Sequence, residues 1–165
     1  MPLNTILSQT DISMAYLLSP HNILTENPIP TLQAPSSTLP LVLSSLSDLQ
    51  LALLIAAARL DIIHDSDTVT FAMAYAEYVE LASKARVQSA AAGALALGAG
   101  ARVWGREVAR GEWERLVKLG LLVPLSEGAA SMGAAGLVKV DVKLEEIPGA
   151  VPELSGTMER WCKQI

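Results

Sequence analysis

Cysteine is almost missing from this chain: Cys162 stands alone among 165 residues, which excludes an internal disulfide framework and a cysteine-built metal site and fits a reducing compartment. Histidine is nearly as scarce, with His21 and His64 far apart and isolated. Aromatic residues make up only 4% of a chain that is 51% hydrophobic, so the apolar weight lies in Ala and Leu and favours helices over an all-β design. The longest apolar runs, Leu49 to Ala58 and Ala90 to Ala101, are interrupted or rich in Ala and Gly, and fall short of the ~20 residues needed to cross a bilayer. No basic region precedes an apolar one at the N-terminus, so no secretory signal is read, and a soluble intracellular protein without a membrane partner is expected. An excess of positive charge is also absent, since the net charge is −5. A body of that sign does not hold DNA by its overall electrostatics.

Catalytic constellations are missing too. No Ser/His/Asp set, HExxH motif or defensible carboxylate pair can be assembled, and Cys162 has no partner base. Neither an enzyme nor a small-molecule substrate is expected. The Gly-rich stretch from Gln88 to Ala101 lacks a preceding strand, GxGxxG spacing and a Gly-Lys-Ser/Thr end, so no nucleotide or other cofactor is expected there. Asp65, Ser66 and Asp67 lack the glycine and further oxygen ligands of a calcium loop and read as a solvated turn, leaving no metal site.

What is present divides unevenly. Residues 1–45 hold six of the nine prolines among many Ser, Thr and Asn, and read as linker, with a short docking helix possible across Thr10 to Leu18. The domain is then expected over 46–165. Ser47 with Gln50 three residues on forms a capping box, and the helix that follows is apolar on nearly every side and so should be the most buried. Thr70 is a candidate cap for a second helix from Phe71 to about Ala91. Its stripe of Phe71, Tyr75, Tyr78, Ala82 and Ala85 reads as core, although tyrosines can also stack on bases.

The stretch Arg102 to Leu125, RVWGREVARGEWERLVKLGLLVPL, reads as one amphipathic helix running into a short strand. Val108, Ala109, Trp113, Leu116 and Leu119 fall on one arc, and Arg106, Arg110, Glu114, Arg115 and Lys118 on the opposite side. Gly120 supplies the stop, Leu121 to Val123 the strand and Pro124 its end. A hairpin tip over Ser126 to Gly136 leads to a strand from Leu137 to Leu144, with Val138, Val140, Val142 and Leu144 on one side. The tail ends in a short helix whose Leu154, Met158, Trp161 and Cys162 can close over the core. A helix followed at once by a strand, a loop and a second strand is the centre of a winged helix-turn-helix. The expected fold is therefore mainly α with a small β-hairpin.

Charge is placed to match. From Lys84 to Lys118 seven basic residues face three acidic ones, a local +4 that leaves −9 for the rest. Arg102, Arg106 and Arg110 recur every four positions, so a helix reaching back to Arg102 would carry them as a ridge able to follow successive phosphates. Arg115 is turned away by about half a revolution and pairs more naturally with Glu112.

Three blocks, LSDLQLALLIAAARL, VTFAMAYAEYVELA and EWERLVKLGLLVPL, in this order and spacing, resemble the C-terminal winged-helix domain of subunit 4 of the eukaryotic origin recognition complex. The likeness covers about two thirds of the chain, and the terminal MERWCKQI is fungal in style. It implies a nuclear role in the initiation of DNA replication, with duplex DNA and the other subunits of the complex as partners. An AAA+ module precedes this domain in that family. No Gly-Lys-Ser/Thr loop is found here, so the chain reads as a fragment or a truncated product and ATP-related roles are not carried over. The chain departs from the family at Gln88 to Ala101, which is longer and richer in Ala and Gly than in animal members. Two readings stand: direct DNA contact through the arginines, or an assembly module that packs on a neighbouring winged helix without touching DNA.

Overall fold

The computed structural model describes residues 38–91, 102–125 and 136–165. It centres on the helix that the sequence marks as most apolar. Helix α1, Leu39–Ser44, comes first and buries Leu43 completely; the folded body thus starts ahead of Ser47, while residues 1–37 of the expected linker lie outside the described residues. Helix α2, Asp48–His64, is buried without a break from Leu49 to Leu60. A helix that is apolar all round has no solvent face to offer and must be wrapped by its neighbours. Its start is fixed by the expected capping box: Gln50 N donates to Ser47 Oγ at 3.3 Å, and Ser47 N donates to Gln50 Oε1 at 2.9 Å.

Strand β1, Val69–Thr70, leads directly into helix α3, Phe71–Ala91, where Met73 N donates to Thr70 Oγ1 at 3.3 Å, as the sequence suggests. Helix α4 spans Arg106–Lys118 and is followed by β2, Leu122–Pro124, and β3, Leu137–Val140. A 3-10 turn at Leu144–Glu146, the short helix α5 at Ile147–Ala150 and helix α6 at Gly156–Lys163 complete the chain.

The sheet order is β1-β3-β2, all antiparallel, with Val69 opposite Val138 and Val123 opposite Lys139. The expected hairpin is present as β2 and β3. The third strand, β1, was not expected, because two residues carry no periodicity and become a strand only through the partner that β3 supplies. Pro124 is tolerated because β2 is an edge strand. The expected strand end at Leu144 is corrected: the ladder stops at Val140, although Val142 and Leu144 stay buried in the core. The hairpin tip over residues 126–135 lies outside the described residues.

The junction between α4 and β2 follows from one glycine. Gly120 takes φ +76°, Leu121 N donates to Leu116 O at 3.1 Å, and Gly120 N donates to Val117 O at 3.0 Å. These two bonds satisfy carbonyls that the helix end would otherwise leave open, and they turn the chain into the sheet.

Arg59 is the one arginine buried inside this body among the described residues, at 8% exposure. Its Nε donates to Glu77 Oε1 of α3 at 2.9 Å, and its Nη1 donates to the carbonyls of Trp161, at 2.5 Å, and Gln164. The guanidinium therefore caps the C-terminal end of α6, where carbonyls have no helical partner, and ties it to α2 and α3. Met158 and Trp161 of α6 close over the core as expected, with Leu154 and Cys162 half-buried.

Candidate nucleic-acid interface

Helix α4 buries Ala109, Trp113 and Leu116 completely, which confirms the centre of the expected apolar arc. The arc is narrower than expected, however. Val108 and Leu119 are each 49% exposed, because they lie at its edge and the neighbours α2, α3 and β2 cover only its middle. Trp113 packs against Phe71 of α3, ring centroids 5.8 Å apart and planes tilted by 58°. Its indole N–H has no hydrogen-bond partner among the described residues.

The expected helix from Arg102 is corrected by the structure. Gly105 is the N-cap, with ψ 153°, and α4 begins at Arg106. Residues 102–105 instead form an extended strap, because their backbone polar groups are taken by tyrosines from α3. Tyr78 Oη donates to Arg102 O at 2.9 Å and accepts from Trp104 N at 3.0 Å; Tyr75 Oη donates to Trp104 O at 3.0 Å. A helical turn over the same residues would have to give up these three bonds. Burial pushes the Tyr78 phenol above its ordinary value, against the opposing effect of the bond from Trp104, so the hydroxyl stays protonated and able to donate.

The unbroken ridge of three arginines is therefore absent. Arg106 and Arg110 share one side of α4 four residues apart, whereas Arg102 stands on the strap. Each has a different neighbour. The Arg102 guanidinium lies 4.0 Å from the centroid of the Trp104 ring, and that of Arg106 lies 5.9 Å from the centroid of Phe71. Both side chains are exposed, and neither forms an ion pair among the described residues. Arg110 is 3.7 Å from Glu107, an exposed pair worth little. Arg115 pairs with Glu112 at 2.9 Å, as expected, and Glu112 also accepts from Gln50 Nε2 at 2.8 Å.

Phe71, Tyr75 and Tyr78 form an aromatic row along α3, with centroid steps of 5.7 and 6.0 Å. Phe71 and Tyr78 are buried and Tyr75 is half-buried, so the row belongs to the core rather than to a base-stacking platform. What the sequence left unread is the work of the two hydroxyls. A signal for it existed, since a buried tyrosine usually finds a partner for its hydroxyl, but the partner lies 24 to 29 residues on. Beside the strap a cleft of about 640 Å³ opens, with Trp104, Val108, Met158 and Trp161 among its walls. The strap and α4 thus carry two exposed guanidiniums held over rings and a third loosely paired, groups with the chemistry to pair with an anion. Residues 92–101, most of the Ala/Gly-rich stretch, lie outside the described residues.

Comparison with known proteins gives two findings. Residues 6–151 match the family model for the C-terminus of origin recognition complex (ORC) subunit 4, a match that begins inside the Pro-rich segment. Over 131 residues the chain is 34% identical to origin recognition complex subunit 4 of Schizosaccharomyces pombe. That alignment takes in 75% of this chain and 13% of the relative's length.

Proposed function

The chain belongs to the family formed by the C-terminus of origin recognition complex subunit 4, and on that premise we propose that it is a winged helix-turn-helix module that contacts duplex DNA within such a complex in the nucleus. From α2 to β3 the element order helix, strand, helix, helix, strand, strand, with the first strand added to the hairpin, supports the winged-helix reading. DNA would be met by Arg102, Arg106 and Arg110. The observation that carries this reading is the state of Arg102 and Arg106: exposed, placed over aromatic rings, and without a carboxylate partner among the described residues. Their charge is available to phosphate, and a guanidinium over a ring offers its planar edge for paired hydrogen bonds. Such contacts fix position on the duplex and carry little sequence information.

The net charge of −5 limits what the chain does alone. About three phosphate contacts give a log–log salt slope near −3 and weak binding, so affinity in the complex would come from the other subunits acting at high effective concentration. The test is fluorescence anisotropy on a mixed-sequence duplex, comparing the parent with Arg102→Ala, Arg106→Ala and Arg110→Ala, and with Arg115→Ala as control. Weakening by the first three and not by the fourth supports DNA contact.

A purely assembling module is the second reading. It is favoured by the mixed signs along α4, where Glu107 stands by Arg110 and Glu112 by Arg115, and by the exposed apolar residues Val123, Leu125 and Leu137 on the outer face of the hairpin. Loss of co-purification with partner subunits on changing Val123 and Leu137 to Ser, with DNA binding by the chain absent throughout, would favour it.

A further inference from the structure

We infer that Tyr75 and Tyr78 are positioning residues for DNA contact, holding the strap so that Arg102 is presented beside Arg106; this rests on the DNA-contact reading above. Both guanidiniums are tied to the same aromatic row of α3. Arg106 lies over Phe71, the first ring, while Arg102 lies over Trp104, whose backbone N–H and C=O are bonded to Tyr78 and Tyr75, the next two rings. The carbonyl of Arg102 itself accepts from Tyr78. Without these three bonds, residues 102–105 would be a short connection with backbone groups open to water and no helix to fix them, because Gly105 supplies no side-chain cap for α4.

A long side chain on a mobile backbone loses conformational freedom when it takes a phosphate, and that loss is subtracted from affinity. The tyrosine hydroxyls remove the backbone part of the loss during folding, and the Trp104 ring limits the rotamers of Arg102. The hydroxyls can be removed with little other change: phenylalanine keeps each ring in its row, and Tyr78 needs its hydroxyl only for the strap. The effect of the hydroxyls is then separable from that of the rings.

The 165-residue chain is compared with Tyr75→Phe, Tyr78→Phe and the double variant, each also in an Arg102→Ala background, by anisotropy on a mixed-sequence duplex at several salt concentrations. In the absence of DNA, hydrogen exchange reports on the amides of 102–105. The double Tyr→Phe variant should bind about three- to tenfold more weakly, the scale of about one net hydrogen bond. Its salt slope should be shallower by up to about 1, and the strap amides should exchange faster while the α2 amides keep their protection. In the Arg102→Ala background the same changes should have no further effect on binding. If Arg102→Ala weakens binding and the double Tyr→Phe variant binds like the parent, the positioning role is overturned and the DNA-contact reading stands. An equal loss in the Arg102→Ala background would also overturn it, as the tyrosines would then act only on the fold. Parent-like binding by both Arg102→Ala and Arg106→Ala would remove the DNA-contact reading, and this inference with it.

Discussion

Replacing Trp113 separates two consequences of its burial. The side chain is fully buried on the face of α4 that packs against α2 and α3, and a tryptophan that buries ~200 Å² at ~25 cal/mol per Å² contributes about 5 kcal/mol of transfer free energy. Against this stands its indole N–H, which has no partner among the described residues and costs about 1–3 kcal/mol in lost hydration. Trp113→Ala forfeits the first and is relieved of the second while leaving a cavity, so a net loss of about 3–4 kcal/mol is expected, within the usual ~3–5 kcal/mol for emptying a large aromatic site. Trp113→Phe keeps one ring against Phe71 and removes the orphan donor. Its cost should stay within about 1.5 kcal/mol, since the lost area and the relieved donor oppose each other. Urea unfolding of the three proteins, followed by far-UV circular dichroism, measures both differences. An Ala variant within about 1 kcal/mol of the parent would show that Trp113 is not a core anchor. A Phe variant as damaged as the Ala variant would show that the indole N–H has a partner after all.

Other substitutions report on other joints. Ser47→Ala removes one half of the capping box and should cost about 1 kcal/mol in chemical unfolding. Gly120→Ala meets no atom within 4 Å of the added Cβ, so its cost of about 1–2 kcal/mol should be that of the left-handed backbone alone, and Gly120→Asn should cost less. Arg59→Ala leaves Glu77 and the carbonyls of Trp161 and Gln164 without their donor. Loss of a buried ion-pair partner typically costs about 3–5 kcal/mol, and limited proteolysis should cut first in 156–165. The Cys162 thiol is pushed up to about 11 by burial, from an ordinary 9.0. Being raised in the folded state, it favours folding fully below pH 9, an advantage lost as pH rises toward 11. At pH 8 its thiolate population is about 100-fold below that of a free thiol, so iodoacetamide should label the native chain slowly and the urea-unfolded chain fast.

Local signals in the sequence were enough for some elements. The Ser47 to Gln50 spacing and the Gly120 stop are contained within a few residues, and Trp113 sits at the centre of its arc, so each could be read without knowledge of the rest. Features made by distant partners could not. Strand β1 exists because Val69 and Thr70 meet Val138 and Leu137. The start of α4 is set by tyrosines 24 to 29 residues earlier, which is why helical periodicity carried Arg102 into a helix it does not join. Val108 and Leu119 have the right phase but no neighbour deep enough to cover them. Arg59 lies inside an apolar helix, and nothing near it in sequence shows that Glu77 and the end of α6 will meet it.

The most direct test joins Arg102→Ala, Arg106→Ala and Arg110→Ala in one chain and places it in the reconstituted complex with the other subunits. Assembly is read by co-purification, and DNA retention by anisotropy across a salt series. DNA contact predicts an intact complex with weakened DNA binding and a log–log slope shallower by about 3. An unchanged slope and affinity, or loss of assembly with DNA binding by the remaining subunits intact, would contradict it and make this face of α4 a protein interface.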